Sequence, residues 1–203
     1  MAYMVYSQEG FMDFLKLVKA QRSIRKYTDE QITREEMDTI LEAGACAPNA
    51  GGSQRSMFVG IRDAQLTHRI GRMNYRPFHR GEVNVSHVSR EQPSLIDDGS
   101  IKDGFYGAPA VIAIFGEKDF PFSIADAFCA AENMLLMATD LGLSSCIVSR
   151  GEETFSTEEG QDLLTRWKVP VNYICRAFII LGHLAGPLPH RKPIRPGRCL
   201  VVE

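Results

Sequence analysis

Cysteines are few in this sequence, and none of them forms the close pairs that bind zinc or an iron–sulfur cluster. The chain has five cysteines, an odd number, and they are widely scattered without a Cys-x-x-Cys motif. A disulfide framework is therefore not expected, and reduced thiols indicate a cytoplasmic protein. The five are Cys46, Cys129, Cys146, Cys175 and Cys199.

Long apolar runs and an excess of one charge are also missing. No apolar run approaches the roughly 20 residues that a membrane helix needs, and the first residues lack the charged-then-apolar order of a signal peptide. The 23 basic and 25 acidic residues are spread along the chain and give a formal net charge of −2. We therefore expect no membrane partner and no nucleic-acid partner.

The sequence shows no combination of side chains that would carry out chemistry without a cofactor. Its histidines have neither the spacing of metal ligands nor the sequence context of a nucleophilic serine, and Gly51-Gly52 is not part of a dinucleotide-binding glycine motif. Neither a metal site nor a catalytic side chain is predicted. This pattern is typical of an enzyme in which a bound cofactor carries the reaction. The histidines are His68, His79, His87, His183 and His190.

The 203 residues, 44% of them hydrophobic, are enough for one domain with a sizeable core, so we treat 1–203 as a single domain.

Thr33 and Glu36 have the spacing of a capping box, which marks the start of a helix. The mixture of helices and interspersed strands predicts an α+β layered domain. Apolar periodicity and turn residues predict helices over 10–20, 33–47, 64–73, 124–141 and 157–166, and strands over 56–61, 109–116, 144–149 and 173–181.

Two further segments stand out. Residues 124–141 are apolar nearly all round, which predicts a buried central helix and a candidate dimer interface. Residues 72–100 are polar, carry Tyr75, Phe78, His79 and Arg90, and have little periodicity. A long excursion of this kind is either a lid that selects a substrate or a surface insertion.

The strongest candidates for ligand binding lie in an early stretch of the chain. The cluster Arg22-Ser23-Ile24-Arg25-Lys26-Tyr27 supplies cations and a hydroxyl suited to a phosphate, although it also fits a solvated basic turn. The loop Pro48-Asn49-Ala50-Gly51-Gly52-Ser53-Gln54 supplies bare backbone groups that can approach a flat ring closely. Together they predict the two ends of a nucleotide-like cofactor site.

The Arg-Ser-x-Arg cluster, a helix of about four turns and a loop with Pro48 and Gln54 before a strand resemble the nitroreductase family. The resemblance implies a nitroreductase-like fold: a central, mostly antiparallel sheet flanked by helices, with a C-terminal extension. It also implies a homodimer that binds FMN at the subunit interface. Such a protein uses NADH or NADPH to reduce nitro compounds, quinones or a similar small-molecule electron acceptor by a ping-pong mechanism.

The resemblance assigns FMN contacts to three parts of the chain. The early cluster and the late pair in Leu188-Pro189-His190-Arg191-Lys192-Pro193 hold the phosphate, the loop lies against the ring, and backbone donors after the strand at 144–149 face the flavin N5 atom. The assigned residues are Arg22, Ser23, Arg25, Pro48, Asn49, Ala50, Gly51, Gln54, Ser149, Arg150, Arg191 and Lys192.

The chain departs from the family pattern at Gln21, Gly52, Arg55-Ser56 and Arg150, where the family commonly has a basic residue, asparagine, Pro-Trp and glycine. Two alternatives therefore stay open. One is an FMN enzyme of the same fold that reduces an enone or a halogenated aromatic compound. The other is a flavin-binding protein without turnover of its own.

Overall fold

The computed structural model describes residues 14–76 and 90–203. The first turn of the helix predicted over 10–20 lies outside these residues. So does the middle of the segment predicted as a lid or insertion, including Phe78, His79 and His87.

The described residues contain a four-stranded sheet in the order β1-β2-β4-β3, with every neighbouring pair antiparallel. The central strands β2 and β4 are rich in apolar residues. Nearly all of β2 and residues 177–182 of β4 are buried because helices cover both faces of the sheet. Each strand begins and ends within one residue of its predicted bounds, and the predicted α+β class is confirmed. The strands are β1 Ser56–Ile61, β2 Ala110–Glu117, β3 Ser144–Val148 and β4 Tyr173–Gly182.

Six α-helices connect the strands within the described residues. The predicted capping box is present, since Thr33 Oγ1 accepts from the Glu36 amide while the Glu36 carboxylate accepts from the Thr33 amide. The sequence patterns missed the short α5 and the 3₁₀ turn at Ala50–Gly52. The helices are α1 Phe14–Ala20, α2 Arg34–Ala45, α3 Ala64–Asn74, α4 Ser123–Asp140, α5 Gly151–Thr154 and α6 Glu158–Arg166.

The core has two layers, one on each face of the sheet. The layer under α2 and α4 is aliphatic and includes Met37 and Met134. The opposite layer is aromatic, and the rings of Phe105 and Phe178 lie 4.9 Å apart in tilted contact. These two layers fix the sheet between rigid helices, so the ends of its strands are precise places to position ligand-binding groups.

The prediction that α4 is buried all round is wrong for the single chain. Ala127, Ala131 and Met134 face the sheet, but Ile124 and Phe128, four residues apart, are 56% and 43% exposed. The sheet covers one side of the helix, so the second apolar stripe points outward. The predicted helix α1 lies against α4 and adds further exposed apolar side chains, Phe14, Leu15 and Val18.

The segment after β4 runs antiparallel to the early basic cluster. The Thr28 amide donates to the His183 carbonyl at 2.9 Å, and the Ala185 amide donates to the Lys26 carbonyl at 3.0 Å. On the other side, the Ile24 amide donates to the Ser145 carbonyl of β3 at 2.9 Å. The basic cluster is therefore held between the edge strand β3 and the C-terminal tail.

Stability should fall at alkaline pH because two buried thiols resist ionisation. Burial raises the pKa of Cys146 and Cys175 above the ordinary value of 9.0. The unfolded chain loses these protons from about pH 9 upward while the folded chain keeps them, so each pKa unit of difference costs about 1.4 kcal/mol. Urea unfolding midpoints should hold steady below about pH 8.5 and decline above it.

The exposed Cys199 provides the control for this prediction. Cys175→Ala should make the alkaline decline shallower, with the contribution of Cys146 remaining, and Cys199→Ala should leave the decline unchanged. Unfolding midpoints that stay level up to about pH 10.5 would contradict the prediction.

Candidate functional site

A cavity of about 220 Å³ opens at the end of β3, and three of the predicted cofactor residues line it. Arg25 reaches it from the basic cluster, while Ser149 and Arg150 follow directly after β3. The structure thus brings together a cation and the backbone segment predicted to face the flavin N5 atom. A side chain assigned to the phosphate end therefore shares a cavity with groups assigned to the ring end.

Arg25 is half-buried and uses its backbone and side chain differently. Its amide donates to the Gln92 Oε1 atom at 2.6 Å, which fixes the main chain. Its guanidinium donates weakly to the Ser23 carbonyl at 3.5 Å and lies 5.7 Å from the centre of the Tyr106 ring. The guanidinium thus faces the cavity with donors available for a ligand.

Arg22 is oriented differently. Its Nη1 atom lies 2.6 Å from the Lys19 carbonyl oxygen and 2.7 Å from that of Gln21, so its charge caps the C-terminus of α1. Its Nε atom donates to the Pro189 carbonyl at 3.3 Å. Arg22 therefore joins α1 to the C-terminal tail.

The contact between Arg22 and Pro189 places the predicted late pair near the early cluster. Arg191 and Lys192 follow Pro189 by two and three residues, which a chain spans in roughly 7 to 11 Å. Both side chains are exposed. The early basic cluster and the late pair, which are predicted to bind the same phosphate, are therefore connected to neighbouring parts of the structure through Arg22 and Pro189.

Arg150 has a left-handed backbone, with φ 68° and ψ 30°. Glycine adopts this conformation without the steric cost that other residues bear, so Arg150 occupies a backbone position that favours glycine. Its guanidinium donates to Glu153 at 2.7 Å and to the Asn74 carbonyl at 3.3 Å. The hydrogen bond from Arg150 holds the pKa of Glu153 below its ordinary value.

Sequence reasoning missed Asn74, which lines the same cavity. Asn74 is 4% exposed, and its Nδ2 atom donates to the Ser149 carbonyl at 3.1 Å and to Thr154 Oγ1 at 2.9 Å. The pattern predicted a helix over 64–73 and gave no sign that the next side chain turns inward. Asn74 therefore fixes the Ser149 backbone and also accepts a hydrogen bond from Arg150 through its own carbonyl.

The predicted ring-binding loop takes its shape from two glycines and from one short side-chain hydrogen bond. Gly51 and Gly52 have φ values of 63° and 62°, and no atom lies within 4 Å of the place where a Cβ would stand on either. Asn49 Oδ1 accepts from the Gln54 amide at 2.8 Å and closes the turn. The glycines therefore present an open backbone face that a flat ring can approach.

Asp126 anchors this loop, and sequence reasoning did not single it out. Its Oδ1 atom accepts from the Ala50 amide at 2.9 Å, and the residue is 7% exposed in the first turn of α4. Its Oδ2 atom is buried without a hydrogen-bond partner among the described residues. A rigid helix thus holds one peptide of an otherwise exposed loop.

The two parts of the predicted site do not meet within one chain. Pro48, Asn49 and Gln54 line a second cavity of about 210 Å³, which shares no lining residue with the cavity at Arg25. The loop and Arg25, which were predicted as two ends of one cofactor site, therefore line separate cavities of the single chain. We refer to these two cavities as the two half-sites.

Two negative findings apply to residues 14–76 and 90–203. No group of three or more histidine, cysteine, aspartate or glutamate side chains lies close enough together to hold a metal ion. None of the helices described there combines the length and apolar character needed to cross a bilayer.

Comparison with known proteins gives a consistent result. A model described as the nitroreductase family matches residues 18–183. A Bacteroides fragilis nitroreductase crystallised with bound FMN superposes with a TM-score of 0.73 at 29% identity, covering 93% of this chain and 98% of that one. An FMN-bound nitroreductase from Desulfitobacterium hafniense superposes with a TM-score of 0.76 at 20% identity, covering 96% and 100%. The predicted fold is confirmed.

Archaeal relatives provisionally named NADH dehydrogenase/NAD(P)H nitroreductase cover different shares of the chain. The Archaeoglobus fulgidus protein is 26% identical over 175 residues, which are 83% of this chain and 84% of that protein. The Methanothermobacter thermautotrophicus protein is 28% identical over 139 residues, which are 66% of this chain and 59% of that protein. The match thus includes little more than half the length of the second relative.

Proposed function

Because the chain belongs to the nitroreductase family, we propose that it is an FMN-dependent oxidoreductase that uses NADH or NADPH to reduce nitro compounds, quinones or similar electron-poor acceptors. The observation that carries the proposal is the cavity shared by the Arg25 guanidinium and the Ser149–Arg150 backbone. This cavity combines a cation with a rigid backbone segment. A flavin ring requires positive charge near its N1 and O2 atoms and a hydrogen-bond donor near its N5 atom.

The residues present fit FMN at both ends. At the phosphate end, the Ser23 hydroxyl with Arg191 and Lys192 offers two cations and a donor for a group of about two negative charges. At the ring end, Arg25 supplies positive charge, and Asn74 and Arg150 hold the Ser149 segment in place. Arg22 positions the tail that carries the late cations.

When bound, FMN supplies the capacity to take a hydride from a nicotinamide and pass electrons to an acceptor. The chain's own residues bind and orient the ring, and Arg25 stabilises negative charge at the polar edge that it faces. Reductant and acceptor stack in turn at the same open surface, which gives ping-pong kinetics. No side chain is assigned an acid or base role.

The two half-sites are completed by a second copy of the chain. The Gly51-Gly52 face of one copy would pack against a flavin ring held at Arg25 of the other, and the exposed apolar side chains of α1 and α4 would form the contact between the copies. Exposed apolar stripes of this kind are typical of subunit interfaces. The proposed state is a homodimer, and sedimentation analysis tests it: a monomer that retains FMN would exclude it.

Colour and reduction test the function. The purified protein should show flavin absorption bands that NADH or NADPH bleaches under anaerobic conditions, and nitrofurazone or menadione should restore them. Bound flavin that neither reductant bleaches would identify a flavin-binding protein without turnover. Bleaching without reoxidation by either compound, but with reoxidation by an enone or a halogenated aromatic, would identify the other alternative.

The departure at Arg55 leaves the loop open. Arg55 Nη1 donates to Glu117 at 2.6 Å, and the guanidinium lies 4.8 Å from the centre of the Phe120 ring. This charged residue stands where the family pattern has proline, and it points toward the end of β2. It therefore does not obstruct the glycine face.

Asp126 should position the loop for flavin binding. In Asp126→Ala the Ala50 amide loses its acceptor and the loop loses its tie to α4, so we expect FMN to bind about tenfold more weakly, or about 1.4 kcal/mol. Asp126→Asn keeps an acceptor oxygen and should bind nearly as the wild type does. FMN titration by fluorescence quenching measures both, and wild-type affinity in the alanine variant would refute the role.

A further inference from the structure

The C-terminal tail carries more positive charge than the flavin phosphate needs. Residues 187–198 contain four cations and no acidic residue, whereas the remaining 19 basic and 25 acidic residues give the rest of the chain a formal charge of −6. Two of the cations, Arg191 and Lys192, match the charge of one phosphate monoester. Arg195 and Arg198 are left over.

The four cations are gathered around one space. Arg191, Lys192, Arg195 and Arg198 line a single cavity of about 560 Å³ whose other lining residues are Pro193 and Ile194. Prolines at 193 and 196 restrict the backbone that presents the cations. The hydrogen bond from Arg22 to Pro189 anchors the tail beside the basic cluster. The tail that carries the surplus charge is therefore tied at Pro189 to the basic cluster.

We infer that Arg195 and Arg198 select NADPH over NADH by binding the 2′-phosphate of the reductant. This inference rests on the proposed function, because it concerns the reductant of the same site. NADPH differs from NADH by one phosphate monoester of about two negative charges, which two arginines match in charge and in bidentate geometry. NADH lacks the 2′-phosphate, so the pyrophosphate that both reductants share is the only phosphate group it presents to these arginines.

Binding of 2′,5′-ADP and 5′-AMP isolates the 2′-phosphate without any turnover. At low ionic strength 2′,5′-ADP should bind the FMN-loaded protein about tenfold more tightly than 5′-AMP, because exposed charge pairs are strong only when salt does not screen them. In an Arg195→Gln, Arg198→Gln double variant the ratio should fall to near one. A double variant at the C-terminal end of α6, Arg166→Gln with Lys168→Gln just after the helix, removes the same charge elsewhere and should keep the wild-type ratio.

Steady-state rates complete the test. The ratio of kcat/KM for NADPH to that for NADH should fall about tenfold in the tail variant through a higher KM for NADPH, with the NADH values unchanged. Equal affinity of the wild type for 2′,5′-ADP and 5′-AMP would overturn the inference. A protein that NADH and NADPH reduce equally well would also overturn it while leaving the proposed function intact. Loss of FMN from the tail variant would assign these arginines to the flavin and equally refute it.

Discussion

An Arg25→Gln variant should bind FMN roughly 10- to 100-fold more weakly than the wild type while unfolding at nearly the same temperature. The guanidinium has weak partners in the protein, the Ser23 carbonyl at 3.5 Å and the face of the Tyr106 ring. Its removal therefore costs the fold little. A charge-assisted hydrogen bond to a ligand in this half-buried cavity contributes about 1.5–3 kcal/mol, which gives the expected range.

The same variant decides which end of the flavin Arg25 contacts. The sequence pattern assigns Arg25 to the phosphate, whereas the structure places it in the cavity with Ser149 and Arg150. If it contacts the ring, affinity for riboflavin and for FMN should fall by the same factor. If it contacts the phosphate, only FMN affinity should fall. Arg166→Gln on α6 is the control, and full FMN binding by Arg25→Gln would exclude both roles.

Gly151→Ala should destabilise the fold by about 1–3 kcal/mol, the usual range for overpacking at a closely packed site. A Cβ at this position would stand 2.6 Å from the carbonyl oxygen and 2.7 Å from the Sγ atom of Cys175, near the start of β4. At Cys175, β4 pairs with β2 alone, opposite Phe115, and Cys175 is only 2% exposed. Close packing at this buried position leaves β4 little room to move away. The Ser149–Arg150 segment, which leads into Gly151, would have to shift instead, so flavin binding should weaken as well.

Gly99 offers a matched control because its backbone is unstrained and no atom lies within 4 Å of the corresponding Cβ position. Gly99→Ala should change the free energy of unfolding by less than about 0.5 kcal/mol. Urea denaturation measures both variants. A Gly151→Ala protein as stable as Gly99→Ala would show that α5 moves freely relative to β4.

Features set by local sequence could be predicted well. The apolar run at 110–115 and the capping box at Thr33 and Glu36 depend on neighbours along the chain, so their period and spacing were sufficient. α5, with four residues, is too short to give a periodic pattern. The exposed stripe of α4 was missed because composition reports how apolar a helix is and not how many sides are covered.

The residues of the candidate site also divide into those that the sequence could predict and those that it could not. Its cations and glycines could be found from residue type, since phosphate and ring binding favour them. Asn74 and Asp126 could not be found, because each acts through a contact with a residue more than 70 positions away. The separation of the two half-sites is likewise a property of the tertiary structure. The cytoplasmic location and the substrate-selecting lid stay predictions.

The pairing of the basic cluster with β3 also bears on aggregation. β3 is an edge strand, and the Ser23–Ser145 bridge with the Ile24 amide occupies part of its outer edge. An uncovered strand edge is a template for joining another chain. A ligand that binds Ser23 and Arg25 favours the conformation that keeps this edge covered. The cofactor would then act as a solubility factor, and flavin-depleted protein should self-associate through its sheet more readily than flavin-loaded protein.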